Sequence, residues 1–398
     1  MKNYKGRLFE GKYNTAIVYN DEVEETAVEQ INSLLNHSAF DIGKLYWMSD
    51  IHAGAGCCIG FTHYNPSMSV YGEFKICPNL IGVDIGCAVS TWNTLQKYID
   101  FLKFDEFVKN SVPTGFNQRT KIHDKIEMLY NLIDSNEIPL YKDFEIRVND
   151  IINKMNLKSQ TVWGSLGSLG SGNHFMELNI SDTKELWLTI HSGSRNFGLQ
   201  ICNFHQKIAV NNCGKMGGLE YLEGIEADNY IQDMKVAQVY AKLNRIIMGY
   251  EILTNFFNVD IHNVETFESV HNYIDFKDNV IRKGAISAHK DEKVIIPLNM
   301  AEGCIIGYGK GNCDWNWSAP HGAGRKLARK QAKKKLTLME FEKVMKDANV
   351  YSSCIVQSTL DESPMAYKPS KEILEYIEDT VDIKAILKPV YNFKAIEE

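Results

Sequence analysis

Apolar residues recur at helical spacing over residues 23–35, with acids early in the stretch. They do so again over 228–257, where Ile231, Met234, Val236, Val239, Leu243, Ile246, Ile247, Tyr250 and Leu253 lie near a 3.6-residue period. The first pattern predicts a helix, and the second a long amphipathic one. Residues 45–51 and 80–84 read as short buried strands that end in the glycine-containing loops DIHAGAGCCIG and DIGCA. From about 98 to 157 the pattern is helical and polar. The glycine-rich stretch 165–177 then runs into a strand, and 186–190 is a strand feeding HSGSRNFG. A second glycine-rich segment covers 298–311, and HGAGR leads into a basic helix. The chain closes with a helix near 371–380 and the strand-like ILKPVYNFKA. There is no Pro- or Ser-rich linker and no internal repeat, which predicts one composite α+β domain over residues 1–398, with mixed sheets flanked by helices.

Composition narrows the class without naming a chemistry. A chain of 398 residues with 44% hydrophobic and 23% charged residues buries a substantial core without disulfide staples. No apolar run approaches the roughly 18 residues of a membrane helix, and the opening MKNYKGRLFEGKYN lacks a secretory apolar core, so a cytoplasmic protein without a membrane partner is expected. Nine cysteines, none in a CxxC pair, read as reduced thiols, and argue against a structural zinc finger. The formal net charge of −7 argues against indiscriminate nucleic-acid binding.

Candidate chemistry gathers at five of the eleven histidines. His52, His174, His191, His271 and His321 stand in MSDIHAGAG, SGNHFME, TIHSGSRNFG, SVHNY and SAPHGAGR, where neighbouring glycine, asparagine or serine presents a side chain instead of packing it. A single such histidine is most simply a hydrogen-bonded structural residue; five together, with Asp84 and Cys87 in GVDIGCA, make that reading hard to keep for all of them. A strand end followed by a Gly86 turn can point a carboxylate oxygen and a thiolate toward one place, although taken alone a buried Cys beside a turn Asp is the commoner arrangement. Mixed oxygen, nitrogen and sulfur donors suit zinc, manganese or iron, and a thiolate can bridge two ions.

The glycine-rich loops are able to cradle phosphate through backbone N–H groups. GYGKGN is not a Walker A sequence, however, because Gly311 follows Lys310 where Ser or Thr is needed. No GxSxG serine elbow occurs either. HGAGRKLARKQAKKK is more informative. His321 precedes a Gly-Ala-Gly turn that leaves its imidazole open to a phosphate, and residues 325–335 carry seven bases and no acid. Taking those seven from the 43 lysines and arginines leaves 36 bases against 50 acids, so the strip stands on a strongly acidic body.

In the same order, SDIHAGAGCCIGF, GVDIGCA, SLGSGNHFMEL, IHSGSRNFG, HNY with RKGAISA, PLNMAEGCIIG, SAPHGAGR, AYK and KPVYNFKA cover nearly the whole chain. This set resembles the RtcB-type RNA-splicing ligases, a GTP- and manganese-dependent family. Two positions depart from the family's pattern. Ala88 stands where DIGCG is usual, and Val270 precedes His271 where a second histidine is common.

The resemblance implies an RtcB-like fold with a central metal site holding two manganese ions. Cys87 would bridge them, Asp84 and His174 would complete one ion's ligands, and His191 and His271 the other's. His321 would be the nucleophile that takes GMP from GTP. Asn173 and Arg195 would contact phosphates, and Glu177 and Lys394 would read guanine with Tyr367 packed near it. The Ala323 and Gly324 backbone would meet the nucleotide. The implied reaction joins an RNA 3′-phosphate or 2′,3′-cyclic phosphate to a 5′-hydroxyl. Transfer-RNA splicing, repair of toxin-cleaved RNA and repair of ribosomal RNA would all use such a site, with or without an activating protein. Two other readings stay open on the residues alone: a dinuclear metallohydrolase or phosphodiesterase acting without guanylylation, and a non-catalytic RNA-binding relative.

Overall fold

A computed structural model describes residues 6–69, 74–134 and 138–396. Its first strands are β1 (Arg7–Glu10), β2 (Thr15–Val18), β3 (Lys44–His52), β4 (Ile59–Tyr64) and β5 (Ala88–Asn93). Next come β6 (Phe175–Ile180), β7 (Leu186–Ser192), β8 (Thr266–Val270), β9 (Asn272–Asp275) and β10 (Val280–Lys283). The chain ends with β11 (Ala285–Ser287), β12 (Lys293–Pro297), β13 (Cys304–Gly309), β14 (Ser318–Pro320) and β15 (Val381–Phe393). Among the described residues these form a six-stranded sheet, β1-β2-β3-β4-β10-β9, a seven-stranded sheet, β12-β13-β15-β6-β7-β5-β8, and the pair β11-β14. Only β2 and β3 pair in parallel; every other neighbouring strand pair among them is antiparallel. The architecture is α+β.

Helices cover these sheets. α1 (Glu25–Leu35) buries Ala27, Ile31, Leu34 and Leu35, the helical face expected from the sequence. α2 (Phe101–Ser111), α3 (Ile126–Tyr130), α4 (Tyr141–Lys154) and α5 (Ser159–Gly164) fill the polar helical stretch. α6 (Arg195–Cys213) and α7 (Gly224–Asn255) pack together beside the seven-stranded sheet. α8 (Arg329–Lys335), α9 (Leu338–Asp347) and α10 (Ser370–Ile377) follow. One contiguous apolar cluster runs from Phe9 to Phe393 and draws on both large sheets. No helix among the described residues is long and apolar enough to cross a membrane.

Three expectations need correction. Residues 80–84 are not a strand: Pro78 opens a 3-10 turn, Pro78–Leu80, and Gly82 follows with φ +92°, which breaks an extended run. α7 is the long helix expected, but it buries more than the apolar face of an amphipathic one. It is buried on most of its circumference, including polar Asp233, Asn244 and Arg245, because α6, α3, α4 and the sheet surround it. The basic helix does not begin after Gly324. Residues 325–328 bend without forming a helix, held by Lys326 and Leu327 N–H groups donating to the Ala366 carbonyl and by an Arg325–Tyr367 bridge, and α8 starts only at Arg329.

Candidate active site

One end of the seven-stranded sheet carries the candidate ligands because β7, β5 and β8 lie side by side there. Ala88 is opposite both Ser192 and Val270, so Cys87 just before β5 and His271 just after β8 meet at one sheet edge. The His271 N–H donates to the Cys87 carbonyl at 3.0 Å, fixing the two together. His191 on β7 is opposite Val89 and Phe175, and His174 immediately precedes β6. The two departures from the RtcB pattern, Ala88 and Val270, are therefore cross-strand partners. Ala88 begins an ordinary strand with φ outside the left-handed region, so the position does not need glycine's conformational freedom.

Two groups of donor atoms share Cys87. Asp84, Cys87 and His174 present one donor atom each within 4.8 Å of one another, and so do Cys87, His191 and His271. The Cys87 sulfur is 3.5 Å from His174 Nε2 and 3.3 Å from His191 Nε2. His191 Nε2 and His271 Nε2 are 3.2 Å apart, and His174 Nε2 is 2.8 Å from Asp84 Oδ2. Burial pushes the His191 and His271 imidazoles well below the usual histidine range, and neighbouring imidazoles add to it, His174 and His321 for His191, His321 and His191 for His271. Two neutral nitrogens aimed at one point share no proton well, but they suit a divalent cation. Burial works against the Asp84 carboxylate, yet His174 and its hydrogen bonds hold it down at about 2, keeping it ionised. The donor set fits a pair of borderline cations with oxygen, nitrogen and sulfur preferences.

The polar residues of α7 brace this arrangement from behind. Asn244 accepts from the Gly167 and Ser168 N–H groups and donates to the Ser168 and Gly193 carbonyls, at 2.8–3.1 Å. Arg245 donates to the Gly86 and Ser192 carbonyls and pairs with Glu268 at 2.8 Å. The loops carrying Asp84–Cys87, His174 and His191 thus hang from two adjacent helix residues. Removing Glu268 alone would strand the buried Arg245 charge, a cost of about 3–5 kcal/mol.

A cavity of about 420 Å³ opens beside these donors. Its lining includes His52, Asn173, Glu177, His191, His321, Ala323, Gly324, Arg325, Glu362, Tyr367 and Lys394. His321 is fixed by Asp50, whose Oδ2 accepts from the His321 backbone N–H at 3.0 Å and meets Nδ1 at 2.6 Å. The proton is assigned to Nδ1 on that bond, which leaves the Nε2 lone pair for chemistry. His321 also lies beside the donors, its ring 4.9 Å from that of His271. His52 lines the cavity too, but its Nδ1 is 2.8 Å from the Asp50 carbonyl and burial lowers its pKa to about 4. It is a positioned neutral imidazole outside both donor groups.

At the opposite wall, Glu177 accepts from Asn392 at 2.6 Å, and burial pushes its pKa up to about 7. Lys394, almost fully buried, reaches Glu362 at 3.1 Å and the Asn173 carbonyl at 3.4 Å. Tyr367 donates to Glu362 at 2.5 Å. Glu362 is the hub of this wall, because Arg325 and Arg329 also pair with it at 3.2 and 2.8 Å. Burial alone would raise the Glu362 pKa, but Lys394, Arg329 and Arg325 overcome it and keep the carboxylate charged.

Of the residues proposed from the sequence, Asn173, Glu177, Ala323, Gly324, Tyr367, Lys394 and His321 meet at the cavity, and His191 joins it to the donor groups. Arg195 does not line it. Its guanidinium lies on the far side of the donors, donating to the Ser168 hydroxyl and the Gly115 carbonyl. Asp50 and Glu362 escape the reading by sequence, although Asp50 lies in SDIHAGAG, already singled out, and Glu362 stands four residues before AYK. The seven-base strip is also less free than its composition implies. Arg325, Arg329 and Lys333 pair with Asp361 or Glu362, leaving Lys326, Lys330, Lys334 and Lys335 exposed.

Asp275, Asp278 and His289 form a third grouping within 4.8 Å. Buried Arg282 pairs with both aspartates and His289 meets Asp278, so that grouping already carries its own positive charge.

Residues 33–395 match the model of the family described as RtcB, tRNA-splicing ligase RtcB, and the chain belongs to that family. Among curated relatives, it is 28% identical over 378 residues to the RNA-splicing ligase RtcB of Escherichia coli K12, covering 87% of this chain and 89% of that protein. It is 26% identical to the tRNA-splicing ligase RtcB of Nanoarchaeum equitans, covering 79% and 82%, and 26% identical to that of Aeropyrum pernix, covering 89% of each.

Proposed function

We propose that this chain is a cytoplasmic, GTP- and manganese-dependent RNA ligase, built as one domain, that joins an RNA 3′-phosphate or 2′,3′-cyclic phosphate to a 5′-hydroxyl. Family membership supports RNA ligation. The observation that carries the guanylylation step is His321: its Nδ1 is anchored on buried Asp50, at the edge of a nucleotide-sized cavity and beside the donor groups. A metallohydrolase would need the donor groups, but not a histidine held in this way.

In this reading His321 Nε2 attacks the α-phosphorus of GTP. An N–P bond forms, the bond to the β-phosphate bridging oxygen breaks, and pyrophosphate leaves. Asp50 keeps the Nδ1 proton and stabilises the positive charge that develops on the ring. Glu177 and Lys394 read the guanine edge, Tyr367 packs near the base, and Asn173 with the Ala323–Gly324 backbone meets the phosphates. Arg195 acts on RNA phosphate from the far side of the donors. An oxygen of the RNA 3′-phosphate then takes GMP from His321, giving an RNA 3′-diphosphate-guanosine. Finally the 5′-hydroxyl attacks the RNA phosphorus, GMP departs, and the hydroxyl proton passes to solvent. A 2′,3′-cyclic end first adds water to become the 3′-phosphate.

Two manganese ions held by Asp84–Cys87–His174 and by Cys87–His191–His271, with Cys87 shared, would neutralise phosphate oxygens and so lower the barrier for each displacement. The reading is tested by incubating the protein with RNA bearing a 3′-phosphate and RNA bearing a 5′-hydroxyl, with manganese and with or without GTP. GTP-dependent joining is expected. Trimming of RNA ends without GTP and without joining would favour the phosphodiesterase.

A further inference from the structure

The loop between α2 and α3 carries a phenylalanine at a place where an exposed aromatic ring has a use. Residues 113–119 read PTGFNQR, and Phe116 is the fully exposed member, at 102% relative exposure. A single exposed apolar side chain is ordinary on a protein surface. The loop around this one is not loose. The Asn117 N–H donates to the Thr114 carbonyl at 3.0 Å, closing a tight turn with Phe116 inside it. The Gly115 N–H donates to Gly170, Leu169 donates to Pro113, and Arg119 donates to Gly164, all at 2.8–2.9 Å. Both ends of the turn are thereby stitched to the glycine-rich segment that leads to His174.

Arg195 ties the same turn to the donor groups. Its guanidinium donates to the Gly115 carbonyl at 2.9 Å and lies against Gly170, where an added Cβ would overlap both Arg195 and His174 Nδ1. Two residues on, Gly172 faces the Arg329 guanidinium at the start of α8. The Gly170–Ser171–Gly172 segment therefore meets the Phe116 turn at Gly170 and the basic helix at Gly172, two residues before His174. Two guanidinium groups, Arg195 and Arg329, thus line this stretch just before His174, Arg329 shared with Asp361 and Glu362, and the exposed lysines of the basic helix lie beyond it.

We propose that Phe116 is a stacking platform for a base close to the RNA end that enters the donor site. This rests on the RNA-ligase reading and goes beyond it. Single-stranded RNA ends splay their bases, and proteins hold such bases by stacking them on aromatic faces. Stacking tolerates any base, which suits an enzyme that joins ends of differing sequence. The exposed lysines of 326–335 hold phosphates of the same strand.

The test compares the full-length protein with Phe116→Ala, Phe116→Leu and Phe116→Trp, using a short RNA with a 3′-phosphate and another with a 5′-hydroxyl. Binding is measured at equilibrium, and thermal melting checks that each variant is folded. Phe116→Ala and Phe116→Leu are expected to weaken binding of at least one RNA roughly ten- to a hundred-fold, and Phe116→Trp to retain it. Leucine keeps apolar area but has no π face, so loss with Leu and retention with Trp identifies stacking. Binding of both RNAs unchanged within about two-fold in Phe116→Ala would overturn the proposal. So would a change in sedimentation without a change in RNA affinity, which would make the turn a contact between copies of the chain.

GTP labelling and ligation by the unaltered protein run in parallel. If they fail while RNA binding still depends on residue 116, the stacking site stands and the ligase reading falls. If they succeed and the Phe116 variants bind RNA normally, the reading stands and this inference falls. Failure of the unaltered protein to bind either RNA overturns both.

Discussion

Asp50 Oδ2 accepts twice from one residue, from the His321 backbone N–H and from His321 Nδ1. Asp50 is completely buried, and its other oxygen has no hydrogen-bond partner among the described residues. A carboxylate committed in this way fixes both the orientation and the tautomer of the imidazole it holds.

Asp50→Asn keeps the shape and can still accept from the backbone N–H, but it no longer holds a proton on Nδ1 by charge. Guanylylation is expected to slow roughly 10²–10⁴-fold with the fold retained. Single-turnover labelling with GTP, beside a melting curve, reads both. Unchanged labelling would remove Asp50 from the mechanism.

The shared sulfur predicts an asymmetry in metal content. Substituting His271 with alanine should lower manganese from two ions per chain toward one, because Asp84, Cys87 and His174 remain together. Replacing Cys87 with serine should weaken both positions. Mass spectrometry of the metal bound after dialysis distinguishes the two. Equal losses in both variants would argue against two separate positions.

These ligands are legible in the sequence because each sits at a strand end or in a loop beside glycine, serine or asparagine. The antiparallel order β7-β5-β8 that unites them is not legible, since it joins segments about 100 and 180 residues apart. Asp50 looks like one more polar residue in a motif whose histidine draws attention. Its role depends on His321, 271 positions away. Glu362 is hidden for the same reason, and with it the neutralisation of three of the seven bases in 325–335. The misread strand at 80–84 is a short apolar run, and such a run does not distinguish a strand from a buried turn. α7 shows a helical period, but only its surroundings reveal that its polar face is buried as well.

Glu177 gives the site a pH dependence. Burial pushes its pKa up to about 7, with Asn392 opposing that shift, so the carboxyl is largely protonated below pH 7. Because this folded pKa lies above the free value, the group's stabilising contribution is present at low pH and is lost as pH rises toward 7. GTP recognition has the opposite sign, since guanine N–H donors need the ionised form. KM for GTP is expected to fall as pH rises from 6 to 8, and Glu177→Gln should flatten that profile. A flat profile in the unaltered protein would contradict the assignment.

The free lysines should matter more to RNA than the paired ones. Neutralising Lys330, Lys334 and Lys335 together should weaken RNA binding and reduce its dependence on salt, by about 0.7 in log–log slope for each RNA phosphate no longer neutralised. Lys333, which faces Asp361 at 3.4 Å, should contribute less. Binding isotherms across a salt series measure both. Loss of GTP labelling in the triple variant would instead assign that helix to the nucleotide.

The proposed ligation turns on a covalent bond between His321 and GMP. Incubating the protein with α-labelled GTP and manganese, then denaturing it, tests this directly. A label that is acid-labile and base-stable on the unaltered chain, and absent from a folded His321→Ala chain, is the predicted result. No label on the unaltered protein, or a label that persists without His321, would contradict it.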